Sequence, residues 1–306
     1  MTQTINDRIS DLKQERDAVI LAHYYVSAEV QEIADYVGDS FNLSKLASTL
    51  PQSTIVFAGV SFMGESAKLL SPDKTVYLPD PCADCPMAHM VSKKEIDAIR
   101  QTYSDVAVVC YVNSTTEVKS WSDVCVTSSN ALRIVKKLPN KHILFIPDQN
   151  LGRWVASQVP EKEFHFVQGC CPIHQDISLD DINELKAALP NAPVLVHPEC
   201  NQKVLQAADF IGSTSEIIQF AARSTASDFI IGTVEGVSFE IKQKAQSKDV
   251  CLHFPKRIPR CHDMDLITKE KILEALEGKV DEVLLPPREI ANNARQSLVR
   301  MLELSE

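Results

Sequence analysis

One strand–helix pattern occurs three times in this chain, at nearly constant spacing. Its core reads ADYVGDS at residues 34–40, SDVCVTS at 122–128 and ADFIGST at 208–214. The aspartate of the core recurs after 88 and then 86 residues. Because the flanking apolar segments align in the same register, the sequence predicts three equivalent structural units.

Each unit begins with a short, unbroken apolar stretch, at residues 18–22, 106–110 and 194–196. Such stretches are typical of parallel strands that are covered on both faces. Strands and helices alternate along each unit, which indicates βαβ connections. We therefore predict an α/β fold: three homologous three-layer αβα domains with parallel sheets, arranged with pseudo-threefold symmetry around a central active site.

The other strands are predicted at equivalent places in the three units. The second strand is the repeat core; third strands are expected at 55–60, 143–146 and 229–231, and fourth strands at 76–78, 165–167 and 250–254. The domains are predicted to span residues 1–104, 105–192 and 193–287, with C-terminal helices at about 288–306 packing on the first unit. Units this short bury little core alone, so we expect them to share an interface.

The charge of the chain restricts its partners. A formal net charge of −10 argues against general nucleic-acid binding, which needs a basic surface, but it leaves small anionic substrates open. The segment 1–13 is polar and lacks the apolar core of a signal peptide. No apolar run approaches the ~20 residues of a membrane span. We expect a soluble, cytoplasmic protein.

Nine cysteines occur without a secretion signal, so reduced thiols or metal ligands are expected. One cysteine follows the fourth strand of each unit: Cys85, Cys171 and Cys261. Cysteines at three equivalent positions can converge on the symmetry axis, which favours a metal centre. Cys85 and Cys171 each precede a proline, as cysteines of iron–sulfur loops often do.

Three thiolates can hold a 4Fe–4S cluster with one iron left open, and such an iron can act as a Lewis acid. Cys82 and Cys170 are neighbours that could take a ligand's place, but the cysteine–proline pairs favour Cys85 and Cys171. The remaining cysteines are predicted to be small buried hydrophobic residues: Cys110, Cys125, Cys200 and Cys251.

Polar side chains follow the first strand of every unit. His23, Tyr111 and His197 are equivalent in the repeat; two residues later come Tyr25, Asn113 and Glu199. Ligands of parallel α/β folds bind beyond the carboxyl ends of the strands. One histidine there is more often structural, but three equivalent strand ends with proton-transferring or orienting groups predict an active site on the axis.

Hydroxyl groups follow the second strands, just before a helix: Ser40, Ser128, Ser213 and Thr214. We expect at least one hydroxyl in each group to cap its helix, a contribution of ~1 kcal/mol. Helix N-termini also attract anions. Three of them at one cavity would favour a substrate with several anionic groups, such as a phosphate and carboxylates.

Several segments together resemble the quinolinate synthase family, iron–sulfur enzymes of de novo NAD biosynthesis. The resemblance covers nearly the whole chain. It is carried by ILAHYY at 20–25, GVSFMGESAK at 59–68, LSPDKTV at 70–76, YVNS at 111–114, TSSNA at 127–131, CPIHQ at 171–175, HPEC at 197–200 and GSTS at 212–215.

The resemblance implies one 4Fe–4S cluster held by Cys85, Cys171 and Cys261, with one open iron acting as a Lewis acid. It implies a transferase-type condensation of iminoaspartate with dihydroxyacetone phosphate that yields quinolinate, phosphate and two waters. The catalytic residues would be Glu199, Tyr25, Tyr111 and His197. Substrate-binding residues would be His23, Ser40, Asn113, Ser128, His174, Ser213 and Thr214. A functional link to an L-aspartate oxidase that supplies iminoaspartate is a further implication.

Two other hypotheses fit part of the sequence. Hydroxymethylbutenyl diphosphate reductase also combines pseudo-threefold symmetry with three cysteines and an open iron, but its reaction needs electrons. A zinc-stabilised, non-catalytic α/β binding protein would carry the strand-end polar residues for structural reasons alone, and it would contain neither iron nor sulfide.

Overall fold

The computed structural model describes residues 4–245 and 249–306. Within these ranges the strands form three separate four-stranded sheets. The first contains β1 (Ala18–His23), β2 (Tyr36–Gly38), β3 (Thr54–Ala58) and β4 (Thr75–Tyr77); the second β5 (Val106–Tyr111), β6 (Val124–Val126), β7 (His142–Ile146) and β8 (Glu163–Phe166); the third β9 (Val194–Val196), β10 (Phe210–Ile211), β11 (Asp228–Gly232) and β12 (Cys251–His253).

The three sheets have the same topology. In each, the unit's first strand pairs with its second and third strands, and the fourth strand pairs with the third, giving the order 2-1-3-4. All of these pairs are parallel. The predicted fold class, three αβα units with parallel sheets, is therefore confirmed.

Helices connect the strands and flank the sheets. They are α1 (Ile5–Glu15), α2 (Ala28–Ile33), α3 (Ser40–Thr49), α4 (Ser61–Leu70), α5 (Lys93–Thr102), α6 (Thr116–Ser120), α7 (Ala131–Lys137), α8 (Gln149–Ser157), α9 (Pro172–Gln175), α10 (Leu179–Ala188), α11 (Gln202–Gln206), α12 (Thr214–Arg223), α13 (Val237–Ala245), α14 (His262–Asp265), α15 (Lys269–Leu276) and α16 (Arg288–Leu304). A 3₁₀ helix covers Pro86–His89. None of the helices in the described ranges has the length and apolar character needed to cross a membrane.

The repeated aspartate has a structural role in all three units. In each unit its side chain accepts a hydrogen bond from a backbone N–H of the first strand. The distances are 2.8 Å from Ile20 to Asp35, 2.7 Å from Val108 to Asp123 and 2.9 Å from Val194 to Asp209. This bond ties the entrance of the second strand to the first, so the fold itself explains why the aspartate recurs.

Burial of the central strands sets the position of the hydrophobic core. Strand β1 is buried along its whole length, and so is β9. One core cluster runs through the first and second units. In the third unit, Leu195 packs on one side of the sheet with Tyr24 of the first unit, whereas Val194 and Val196 pack on the other side. The units therefore share interfaces, as their small size requires.

The closing helix α16 contacts two units rather than the first alone. It packs on α6 and β6 of the second unit as well as on α4 of the first. Ser297 Oγ donates to the carbonyl of Lys119 at 3.1 Å, and Arg300 donates to the carbonyl of Asp123 at 3.1 Å. The predicted contact with the first unit is thus only part of its packing.

Three of the four cysteines predicted to be buried are buried: Cys110, Cys125 and Cys200. The prediction was wrong for Cys251, which is exposed. Cys251 begins β12, the edge strand of its sheet, where only one side is covered by a neighbouring strand.

Candidate active site

A cavity with space of about 60 Å³ lies where the strand ends of the three units meet. Of the residues predicted for the site, all but Ser213 line it: His23, Tyr25, Ser40, Cys85, Tyr111, Asn113, Ser128, Cys171, His174, His197, Glu199, Thr214 and Cys261. They come from every unit because the carboxyl ends of the central strands all point to this place.

The three cysteines enter the cavity in the same way. Each occupies the position just before a four-residue helical turn: Cys85 before Pro86–His89, Cys171 before α9 and Cys261 before α14. Cys82 is exposed at the surface, and Cys170 is not among the described residues that line the cavity.

Burial raises the pKa of all three thiols, to about 11 for Cys261. The nearby Cys261 raises the pKa of Cys85 further. The nearby Glu199 and Cys85 raise the pKa of Cys171 further. Three thiolates in one buried place therefore need a positive partner. The donor set fits a metal centre, because thiolates from three sides would be stabilised by the positive charge of metal ions.

Glu199 is a buried carboxylate of the cavity, with 3% of its surface exposed. Its Oε2 lies 2.9 Å from His174 Nδ1 and 3.2 Å from His197 Nδ1. Burial favours the neutral acid, but the two imidazoles outweigh it and hold the pKa of Glu199 below its usual range. Oε1 of the same carboxyl group has no hydrogen-bond partner among the described residues. One oxygen is therefore fixed and the other is open to a ligand.

His23 is held in a single neutral form. Its Nδ1 accepts a hydrogen bond from the backbone N–H of Tyr25 at 3.2 Å, so Nε2 carries the proton. Burial lowers the pKa of His23 to about 3. His197, at the equivalent position, has its Nδ1 3.3 Å from the N–H of Glu199. His23 can thus orient a ligand by donating a hydrogen bond, and it does not carry a charge near neutral pH.

The two tyrosines of the cavity are protonated phenols. Burial, and next the negative charge of Glu199, raise the pKa of both Tyr25 and Tyr111. Tyr111 lines the same cavity as Glu199. Tyr25 Oη lies 2.9 Å from Thr214 Oγ1 and 2.9 Å from Thr233 Oγ1. Each tyrosine therefore has a proton to donate within the cavity.

The helix termini differ from the predicted capping pattern. Asp39, not a hydroxyl group, caps α3 and leaves Ser40 free to line the cavity. Helix α7 has no side-chain cap. Of the three helices that follow the second strands, α3, α7 and α12, only α12 is capped by a hydroxyl group as expected: Ser213 accepts from the N–H of Glu216. Ser213 is fully buried in this cap and does not line the cavity, so Thr214 is the hydroxyl that this terminus presents.

Two important polar residues were missed by the sequence reasoning. Thr233 follows β11 and contacts both Tyr25 and His174. Asp148 follows β7 and accepts from the N–H of Cys171 at 2.8 Å. Extending the repeat register to the ends of the third strands would have found both, because ligand sites lie at such ends. Apolar residues complete the lining: Val60, Phe62, Met63, Ile173, Val234 and Met264.

Comparison with known proteins agrees with the resemblance found in the sequence motifs. The family model described as "Quinolinate synthetase A protein" matches residues 7–303. The chain is 48% identical to a quinolinate synthase of Fusobacterium nucleatum, over 98% of this chain and 99% of the relative. It is 44% identical to the quinolinate synthase of Caldicellulosiruptor saccharolyticus, over 99% of each chain.

The chain belongs to the quinolinate synthase family. A further member, from Aquifex aeolicus, is 43% identical over 98% of this chain and 94% of the relative. The resemblance drawn from the motifs is therefore confirmed over the full length. Membership of this family connects the chain with NAD biosynthesis. The cavity is the candidate active site of this family member.

Proposed function

We propose that this protein condenses iminoaspartate with dihydroxyacetone phosphate to give quinolinate, phosphate and two waters, a transferase-type reaction. The observation that carries the proposal is that Cys85, Cys171 and Cys261 line one cavity together with Glu199. One oxygen of the Glu199 carboxylate has no hydrogen-bond partner among the described residues. The atoms balance without any electron donor or acceptor. The protein's task is therefore to bind two anionic molecules and to move protons.

We further propose that Cys85, Cys171 and Cys261 hold one 4Fe–4S cluster. Three protein thiolates leave one iron without a protein ligand. When bound, such a cluster would supply a Lewis acid that polarises substrate oxygen or nitrogen atoms. The backbone supports this arrangement at Cys171, because Asp148 Oδ2 accepts its N–H and fixes the start of α9.

Glu199 is proposed as the group that accepts and returns protons. The reaction forms a new carbon–carbon bond and releases two waters. In these steps protons must leave carbon or nitrogen atoms, and protons must also reach the oxygen atoms that depart. Glu199 is held as a carboxylate by two histidines, and its free Oε1 can receive a proton. Tyr111 lines the same cavity, where burial and the charge of Glu199 raise its pKa, and it can serve as the proton-donating partner of Glu199. Tyr25 and His197 complete the proposed catalytic set.

Substrate binding is assigned to the polar rim of the cavity. His23 offers Nε2–H, and the ends of α3 and α12 offer Ser40 and Thr214 beside free backbone N–H groups. Such donors suit carboxylate and phosphate oxygens. Asn113 Oδ1 is buried without a hydrogen-bond partner among the described residues and can accept from a substrate N–H or O–H. Ser128 and His174 are the remaining proposed contacts.

We also propose a functional link to an L-aspartate oxidase. Iminoaspartate is an imine, and imines hydrolyse readily in water. A supply of fresh iminoaspartate near this protein would therefore increase the yield of the condensation.

The test uses protein purified without oxygen, mixed with iminoaspartate and dihydroxyacetone phosphate but with no electron donor. Quinolinate and phosphate should appear in equal amounts. A requirement for an electron donor would favour the reductase hypothesis. A preparation with zinc in place of iron and sulfide, and with no product, would favour the binding-protein hypothesis.

A further inference from the structure

One buried glutamine links the first unit to the third. Gln31 of α2 is 3% exposed, and its Oε1 has no hydrogen-bond partner among the described residues. Its Nε2 lies 3.0 Å from the carbonyl oxygen of Tyr24, 2.9 Å from that of Val26 and 3.1 Å from that of Gly236. The amino group must face these acceptors, because an amide oxygen in its place would be repelled by them. Gln31 therefore holds the loop that carries Tyr25 against the third unit.

The backbones of the two units are in direct contact at this point. A Cβ atom at Gly236 would lie 2.5 Å from the carbonyl oxygen of Tyr24 and 2.8 Å from Cα of Tyr25, closer than unbonded atoms approach. Only glycine lets the third unit lie this close to the loop of Tyr25. The position of Tyr25 therefore depends on this interface and on Gln31, which spans it.

The same kind of link joins the second unit to the first. The offsets of the repeated aspartates relate Lys119 to Gln31, Ser114 to residue 26 and Phe62 to residue 236. Lys119 is fully buried, and its Nζ lies 2.6 Å from the carbonyl oxygen of Ser114 and 3.5 Å from that of Phe62. Two equivalent side chains thus reach equivalent carbonyl groups, one in their own unit and one in the neighbouring unit.

At the third interface the donor lies on the opposite side. Leu205 occupies the position of the glutamine and the lysine, and its side chain cannot donate a hydrogen bond. Asn150 of the second unit occupies the position of residues 62 and 236, where the other two interfaces have a carbonyl acceptor. Its Nδ2 donates to the carbonyl oxygen of Glu199 in the third unit at 3.0 Å and to Oε1 of Gln175 at 2.7 Å. All three interfaces are therefore linked at the same place in the repeat.

We infer that Gln31, Lys119 and Asn150 are positioning residues that set how the three units meet around the cavity. Each of them holds the loop after the first strand of one unit, and each of these loops carries one proposed site residue: Tyr25, Asn113 and Glu199, respectively. The side chains of these loops come from different units, so their mutual distances depend on the links between the units. Where the readout is catalytic turnover, this inference rests on the proposed function.

Gln31→Met keeps the length of the side chain but removes the donor that three carbonyl groups share. At equal iron content we expect kcat for quinolinate formation to fall by roughly tenfold or more, with a smaller change in KM, because a displaced catalytic side chain slows the reaction itself. Gln14→Met makes the same change on the exposed side of α1 and should keep the parent rate. An unchanged kcat in Gln31→Met would overturn the inference.

A second variant covers the case in which Gln31→Met does not fold. Asn150 is only partly buried at the start of α8, and Asn150→Leu removes its hydrogen bond to the segment of Glu199. We expect the same pattern, a kcat lower by roughly tenfold with a smaller change in KM. An Asn150→Leu protein that is as fast as the parent would contradict the inference.

A further readout does not depend on the reaction. In protein labelled with 3-fluorotyrosine, the ¹⁹F signals of Tyr25 and Tyr111 are identified by their loss in Tyr25→Phe and Tyr111→Phe. Gln31→Met should move the Tyr25 signal more than the Tyr111 signal. Lys119→Met should do the reverse, because Lys119 holds Ser114, whose Oγ donates to the carbonyl oxygen of Tyr111 at 2.9 Å.

The pattern of these shifts separates positioning from a general loss of stability. Signals that stay in place, or that move alike in both variants, would overturn the inference. If the parent protein makes no quinolinate, the proposed function fails, while the fluorine signals still decide whether these side chains position the loops.

Discussion

His174 Nδ1 lies 2.9 Å from Glu199 Oε2, and both side chains are almost completely buried. His174 belongs to the second unit and Glu199 to the third, so the contact exists only when the units are assembled. A buried charge of this kind is stable because it is paired and hydrogen-bonded. The site is thus a property of the interface between units, and it can be tested residue by residue.

Replacement of Glu199 by glutamine should remove the proton acceptor while keeping the shape of the cavity. We expect kcat for quinolinate formation to fall by about 10²- to 10⁴-fold, the range typical of lost acid–base catalysis. Iron and sulfide content should not change. A matched control is Glu235→Gln, which removes an exposed pairing with Arg260 that contributes little to stability. Full activity in Glu199→Gln would contradict the role given to this carboxylate.

His23 should make the folded state sensitive to mild acid. Burial lowers its pKa to about 3, whereas an unfolded chain titrates histidine near 6.5. Below pH 6.5 the unfolded state therefore binds a proton that the folded state refuses, and stability falls as the pH decreases toward 3. Between pH 7.5 and 5.5 this group should reduce the free energy of unfolding by about 1.4 kcal/mol.

Urea unfolding at pH 7.5 and 5.5 measures this effect. The parent protein should lose more stability between the two values than His23→Asn does, by the amount assigned to the imidazole. Identical losses in the two proteins would mean that His23 accepts a proton in the folded state.

Asp148 should stabilise the segment that carries Cys171. Its two oxygens accept from the N–H groups of Leu151 at 2.7 Å and Cys171 at 2.8 Å. Asp148→Ala leaves both buried donors unpaired and should lower the free energy of unfolding by roughly 2–4 kcal/mol. Asp148→Asn keeps one acceptor oxygen, so its free energy of unfolding should lie between those of the parent protein and Asp148→Ala. Urea unfolding together with iron content checks this order; an alanine variant as stable as the parent would exclude it.

The repeat explains why so much of the fold could be predicted. Apolar strands and their spacing determine which side chains stand at the strand ends, so Tyr111, Asn113 and Glu199 could be placed together before any coordinates were known. The cysteines were predictable for the same reason, since Cys85, Cys171 and Cys261 follow equivalent strands.

What the sequence did not reveal depends on local hydrogen bonds and on packing between units. Asp39 and Ser40 are both reasonable caps, and only the backbone geometry selects Asp39. The exposure of Cys251 depends on its place in an edge strand. The repeat register places Thr233 at a strand end, but its contacts with Tyr25 and His174 depend on how the units pack together.

One cysteine from each unit is proposed to hold a single cluster, and iron and sulfide analysis of oxygen-free preparations measures whether it does. The parent protein should contain roughly four irons and four sulfides per chain. Cys85→Ala, Cys171→Ala and Cys261→Ala should each lose the cluster, whereas Cys82→Ala and Cys170→Ala should retain it. A parent protein without iron and sulfide, or a cluster that survives in Cys85→Ala but is lost in Cys82→Ala, would exclude this set of ligands.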